Sequence, residues 1–286
     1  MDQLSHETGH IKSGDVRIFY RRFVPHAGRK NKMPALVVHG LSYFSYDWIQ
    51  VAAALSQERE VVAIDLRGFG DSDWSPSRDY DLRTMSNDLN AVLNHFEWSQ
   101  AALIGHSMGG RICLATAGWQ PGRVGALACV DFAPDVAAEG RRKVALRIGN
   151  QPDTFDSVDA ALDYHGHAGE PQGSPVRKRY ESFLQSTGNG FVLKRDLHYR
   201  DTFRETLRTG TSRPIGVDLW AMVAGLDMPA LFIRASTSDM FVPDTLAKLH
   251  DVNPKLQAIE IEGSHDLIGD NPAGLTRALT GFLAEY

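Results

Sequence analysis

The residues of this chain best suited to covalent chemistry lie in Gly105-His-Ser107-Met-Gly109. A short apolar run, Ala101-Ala-Leu-Ile104, feeds directly into this pattern, and a stretch that reads as helix follows it. At a strand-to-helix turn of this type the serine adopts a strained backbone conformation, and the flanking glycines remove side chains that would collide there. Ser107 Oγ is therefore expected to project above the start of a helix, placed to attack a carbonyl carbon. The same turn aims the Met108 backbone N–H at the oxyanion such an attack creates, with the helix N-terminus adding a favourable field.

A serine hydroxyl needs a base within hydrogen-bond reach, and an imidazole serves best when a carboxylate holds its other nitrogen. The apolar run ending at Ile261 is followed by Glu262-Gly-Ser-His265-Asp266, and the run ending at Arg234 by Ala235-Ser-Thr-Ser-Asp239. His265 is expected to be the base and Asp239 the acid, in the chain order Ser, Asp, His. Asp131, directly after the strand in Val130-Asp-Phe-Ala-Pro134, is the competing acid because it can approach the same histidine from the other side. Asp266 is expected to point away, and Asp270 to cap a helix that begins at Pro272.

Stepping from these residues to their supports, the chain alternates strands and helices. A hairpin is expected within 9–23, where Val16, Ile18, Tyr20 and Phe23 alternate loosely around the turn at Ser13-Gly-Asp15. After a polar linker over 25–34, Ala35-Leu-Val-Val-His39 and Val61-Val-Ala-Ile64 read as strands covered on both faces, with a helix from about Trp48 to Leu55 between them. A helix over 79–98 carries Leu82, Met85, Leu89, Val92, Leu93 and Phe96 at helical spacing, with Thr84 or Ser86 near its start. The helix after Ser107 is expected to stop before Pro121, and Ala126 to Val130 to form the next strand. The alternation predicts a mostly parallel, doubly wound α/β sheet whose sites lie beyond the carboxyl ends of the strands. It breaks over 135–226, where helices are expected at 136–148, 158–164, 176–184 and 217–225, and resumes with strands at 230–234 and 257–261 and a last helix over 272–284. The expected division is a core of 1–134 and 227–286 with an inserted helical cap of 135–226.

The 286 residues are 43% hydrophobic and 23% charged, near globular averages, with a net charge of −5. The only runs of three consecutive basic residues, Arg141-Arg-Lys143 and Arg177-Lys-Arg179, read as solvated helix faces, so nucleic acid is not an expected partner. The polar start, with no apolar signal core, and the lack of a run of about 20 apolar residues point to a cytoplasmic protein without membrane partners. Cys113 and Cys129 are expected to pack in the interior without a disulfide. Oligomeric state is left open.

Taken together, His39-Gly40, Asp65-x-Arg67-Gly68-x-Gly70-x-Ser72, Gly105-His-Ser-Met-Gly-Gly110, Ser238-Asp239-x-x-Val242-Pro243 and Gly263-Ser-His265 resemble the α/β-hydrolase fold superfamily, in particular its capped esterase, lactonase and C–C hydrolase branch. The resemblance covers nearly the whole sheet domain. It implies an oxyanion hole formed by the N–H groups of Leu41 and Met108, a structural turn at 65–72 tied by Arg67 and Asp71, and packing or hydrogen-bonding roles for His39 and His106. The lid histidines His165, His167 and His198 read as surface or pocket residues rather than metal ligands.

The reaction expected is hydrolysis of a small carboxylic ester or lactone through an acyl-enzyme, with no metal or organic cofactor. The substrate is expected between sheet and lid, touching Ser42, Tyr43, Phe132, Phe241 and Leu267 and some of Tyr164, Phe183, Trp220 and Met222. The main alternative is C–C bond hydrolysis of a ring-cleavage diketone. Relatives of that type resemble Gly-Asn-Ser-Met-Gly-Gly at the elbow and carry a glycine-rich oxyanion loop, whereas this chain has His106 and Leu41-Ser-Tyr-Phe44. A cofactor-free dioxygenase and a ligand-binding receptor on the same fold are the remaining readings. Epoxide hydrolase and dehalogenase chemistry requires a carboxylate where Ser107 stands.

Overall fold

The computed structural model describes residues 5–25, 32–211 and 214–286, so most of the expected polar linker and the first four residues lie outside the described residues. The chain opens with the expected hairpin, β1 (Glu7–Ser13) and β2 (Val16–Phe23), then β3 (Ala35–Val38), a 3-10 turn and α1 (Ile49–Leu55), β4 (Val61–Ile64) and α2 (Leu82–His95). The pattern continues with β5 (Ala101–His106), α3 (Met108–Trp119) and β6 (Val124–Val130). An insert carries α4 (Ala138–Gly149), α5 (Val158–Tyr164), α6 (Pro175–Phe183), β7 (Leu184–Thr187), β8 (Gly190–Leu193), α7 (Leu197–Thr209) and α8 (Leu219–Ala224). The sheet then resumes with β9 (Ala230–Ala235), α9 (Pro243–Val252), β10 (Gln257–Ile261), the short α10 (Leu267–Asp270) and α11 (Pro272–Leu283).

The eight-stranded sheet runs β1-β2-β4-β3-β5-β6-β9-β10, and every neighbouring pair from β4 to β10 is parallel. The hairpin closes the other edge, with β2 antiparallel to β4. Alternation along each central strand divides the core in two. Leu36, Val38, Leu103, Leu127 and Cys129 face the layer built from α2, α3, α8 and α9. Ala35, Val37, Ala102, Ile104, Ala126 and Ala128 face α1 and α11. Both faces are covered, so these strands read as unbroken apolar runs rather than as alternating ones. Cys113 and Cys129 are free and buried.

The insert differs from expectation in three ways. The segment 184–193 folds as the hairpin β7–β8, and 197–209 forms α7, a full helix whose Tyr199, Phe203 and Leu207 recur every four residues among charged ones. A small apolar cluster of Phe155, Ala161, Leu162, Tyr180 and Leu184 holds α5, α6 and β7 together. In contrast, α8 buries Leu219 and Val223 in the main core against the α2–α3 layer, so the last helix of the 135–226 segment packs with the sheet rather than above it.

Main-chain and side-chain contacts join the insert to the loop after β4. Gly70 N–H donates to Lys194 O at 2.8 Å, Asp196 N–H to Gly68 O at 2.7 Å, and Tyr80 donates its hydroxyl proton to Asp196. Arg67 is locked beneath this loop by a bidentate pair with Asp88 at 2.6 and 2.8 Å, the structural role the motif implies. Asp71 accepts from Lys194 Nζ at 2.8 Å. Among the described residues no helix is long and apolar enough to cross a membrane.

Candidate active site

Ser107 occupies the turn between β5 and α3 with φ 52 and ψ −115, a left-handed conformation that only tight surroundings hold in a non-glycine residue. Those surroundings are close. A side chain on Gly105 would begin 2.4 Å from Gly109 O, and one on Gly109 would begin 2.3 Å from Val38 O, so the elbow is pressed against its own helix and against β3. Ser107 N–H donates to Val130 O at 3.0 Å, extending the β5–β6 pairing through the elbow.

His265 Nε2 lies 3.0 Å from Ser107 Oγ, and its Nδ1 lies 2.6 Å from Asp131 Oδ2. With Nδ1 donating to the carboxylate, Nε2 is the acceptor facing the serine. The Asp131 side chain is fully buried, and its other bonds come from Ala235 N–H at 2.8 Å and Ser238 Oγ at 2.6 Å. It too sits at positive φ, 41, immediately past the end of β6.

Asp239, the acid expected from the sequence, does not meet His265. It is 39% exposed and pairs with Lys143 Nζ at 3.1 Å on the outer surface. The reason is local: the turn after β9 directs Ser238 inward, where its hydroxyl donates to Asp131 and accepts from Phe241 N–H at 3.1 Å, so the next side chain points outward. Asp266 caps α10 by accepting Gly269 N–H at 3.2 Å. The cap of α11 is Asn271, accepting Gly274 N–H at 2.9 Å, whereas Asp270 binds Ser264, correcting the expectation for that residue.

The histidines flanking the serine are scaffolding. His39 Nε2 accepts Leu66 N–H at 2.9 Å, so its proton is on Nδ1, which donates to Gly40 O at 2.7 Å; burial keeps this ring below the usual imidazole range. His106 Nε2 lies 2.8 Å from His265 O, which makes it the donor and steadies the loop that carries the base. Burial, reinforced by the charge His265 can carry, depresses His106 well below its ordinary value. His165 and His167 pack around Tyr180.

A cavity of about 800 Å³ opens on Ser107 and His265, with Leu41 and Met108 in its wall. The N–H groups of Leu41 and Met108 bond to no described residue. Further lining comes from Tyr80 and the start of α2 (Leu82, Met85), from Pro134 and Val136, and from Val144, Ala145, Thr202, Phe203 and Thr206 on α4 and α7. None of the nine side chains expected to touch substrate borders it. Tyr43 packs edge-on against His106, Phe183 lies against Phe44 with ring centres 3.9 Å apart, and Phe132 packs on Gly110. Phe241 and Leu267 are fully buried in the two core layers. Met222 abuts Gly118, Trp220 lies under Lys248 Nζ, and Tyr164 is an exposed ring at the end of α5. Ser42 turns its hydroxyl to Arg195 Nη1 at 3.0 Å. The wall instead uses α4 and α7, and on α7 Tyr199 and Phe203 share one face four residues apart.

Comparison with known proteins agrees with this architecture. Residues 34–272 match the family described as alpha/beta hydrolase fold. Among curated proteins the chain is 24% identical over 250 residues to the 2-(acetamidomethylene)succinate hydrolase of Mesorhizobium japonicum, covering 87% of each. Among solved structures it is similar to an E-2-(acetamidomethylene)succinate hydrolase, with TM-score 0.83, 22% identity, and 98% and 100% of the two chains covered. It is also similar to an esterase from Mycobacterium tuberculosis, with TM-score 0.75, 22% identity, and 98% and 92% covered.

Proposed function

Since the chain belongs to the α/β-hydrolase fold family, we propose that it is a serine hydrolase that cleaves a carboxylic ester or lactone of a small molecule through an acyl-enzyme. The observation that carries this reading is the hydrogen-bonded line from Asp131 through His265 to Ser107, ending in the wall of the large cavity. Ser107 Oγ attacks the carbonyl carbon while His265 Nε2 takes its proton. Asp131 holds the tautomer and balances the imidazolium, and the Leu41 and Met108 N–H groups receive the oxyanion. His265 then returns the proton to the departing alkoxide. Water, deprotonated by the same nitrogen, attacks the acyl carbon and releases the acid and free Ser107. Within residues 135–226, the part carrying α4 to α7 acts as the cap, since α4 and α7 supply much of the cavity wall, while α8 belongs with the core.

Release of nitrophenol from p-nitrophenyl esters of graded acyl length tests the reading. Wild type should turn over short or medium chains with one clear optimum, and Ser107→Ala should lose about a thousandfold or more in kcat/KM. An inert wild type, or a variant of equal activity, would sink the proposal.

Hydrolysis of an N-acyl bond is the second reading, favoured by similarity across 87% of both chains to a hydrolase whose named substrate carries an acetamido group. Parallel assay of matched esters and amides separates the two.

A further inference from the structure

Arg111 stands one helical turn beyond Ser107 on α3, its N–H bonded to Ser107 O at 3.2 Å. Residues four apart share a helix face, so the arginine and the nucleophile address the same space, and Arg111 borders the cavity that contains Ser107. Its Nε is buried and bonded to nothing, and its guanidinium meets no carboxylate among the described residues. Four arginines that are buried, Arg59, Arg67, Arg195 and Arg234, are each engaged. Arg67 holds Asp88, Arg59 the carbonyls of Met33 and Leu283, Arg234 Glu260 and Phe241 O, and Arg195 Ser42 and Gln151. A buried N–H left without a partner weakens a fold, so the molecule carries the Arg111 Nε at a cost to its stability.

The surrounding wall has the same sign. It contributes Arg78, Arg111, Arg141 and Arg147 against only Asp79 and Asp81. Both aspartates are committed to the start of α2, Asp81 accepting Thr84 N–H at 2.8 Å and Asp79 accepting the Thr84 hydroxyl at 2.7 Å. A planar, two-oxygen anion matches the fork that Arg111 offers.

We propose that Arg111 anchors a carboxylate on the substrate, so that the molecule hydrolysed at Ser107 carries a free acid group besides the acyl bond that is cut. This rests on the acyl-enzyme reading above. Arg147, across the cavity on α4, adds to the field that draws the anion in.

The test compares two esters with five-carbon acyl groups, mono-p-nitrophenyl glutarate and p-nitrophenyl valerate. Wild type should prefer the glutarate ester at least about tenfold in kcat/KM, and Arg111→Met should reduce that preference about thirtyfold, as expected for loss of a charge-assisted contact. Arg111→Lys should restore part of it. Independently, glutarate should raise the melting temperature of Ser107→Ala protein and should have no such effect on Ser107→Ala/Arg111→Met. A preference that survives Arg111→Met overturns the proposal, as does an Arg111→Met protein that melts lower than wild type, which would make the residue structural. Inorganic phosphate stabilising as well as glutarate would overturn the carboxylate assignment. If neither ester turns over yet glutarate stabilises through Arg111, the acyl-enzyme reading fails and the anchor stands. If both esters turn over without preference and glutarate has no effect, the anchor fails and the acyl-enzyme reading stands.

Discussion

Which aspartate faces His265 is decided by a few bonds around each candidate. Asp131 is held by Ala235 N–H, Ser238 Oγ and His265 Nδ1, all from outside its own strand, whereas Asp239 is bound only to a surface lysine. Asp131→Asn should therefore lower kcat on a p-nitrophenyl ester by about three to four orders of magnitude, since an amide cannot fix the imidazole tautomer. Asp239→Asn should stay within about twofold of wild type; the reverse ranking in steady-state kinetics would return the acid role to Asp239. Ser107 and His265 were legible in the sequence because each follows a strand in a loop with a recognisable pattern. The acid was not, because two aspartates follow neighbouring strands and nothing in the pattern says which way a turn points its side chains. A usable signal was present: Asp131 is the first residue past β6, while Asp239 lies four residues past β9.

At the scale of elements, the core strands and helices matched their apolar periodicity to within a few residues. Helix α2 begins at Leu82 rather than at 79 because Asp81 is its cap, and Thr84 donates its N–H to that carboxylate from within the first turn. The insert was harder to read, because β7 and β8 are short and half-exposed and α7 carries few apolar residues among its many charged ones. The same limit hid the substrate wall, since aromatic residues in a lid sequence cannot be sorted into packing and lining without their directions. The elbow offers a sharper test. Gly109→Ala would push a methyl group into the carbonyls of Val38 and His39, 2.3 and 2.5 Å away, both main-chain atoms that cannot swing aside. Overpacking of this kind should lower the melting temperature by about 5 °C or more. Differential scanning fluorimetry checks it, and an unchanged melting point would mean that β3 and α3 can separate without cost.

For the molecule as a whole, burial sets the response to acid. His39 and His106 are held below the ordinary imidazole range, and His165 is brought down to about 4, in each case chiefly by burial. The unfolded chain binds protons at these positions near pH 6.5 while the folded protein does not, so stability falls as pH drops through that value, by up to about 1.4 kcal/mol per pH unit for each histidine. Asp47, raised to about 6 by burial, contributes in the opposite sense, as do Asp88 and Asp266, which burial also raises; the three histidines, whose ordinary value lies inside the window from pH 5.5 to 7.5, set its sign. The urea midpoint should be lower at pH 5.5 than at pH 7.5, and a flat profile would contradict the account. The global architecture was legible because parallel sheets leave such plain apolar runs. That sheet also acts as the ruler of the site. Ser107 and Asp131 each sit one residue past the end of adjoining strands, and five consecutive rungs from Ala102↔Ala126 to His106↔Val130 hold those ends level. The irregularity in their pairing, between Ala101 and Ala102, is confined to the opposite end. Side chains alternate along a strand, so a slip of one residue in β6 would bring Val130 or Phe132 to the place of the acid. The spacing of Ser107 and Asp131 is thus copied from the main-chain ladder, and sequence drift at the surface can remodel what the cavity admits while leaving that spacing untouched.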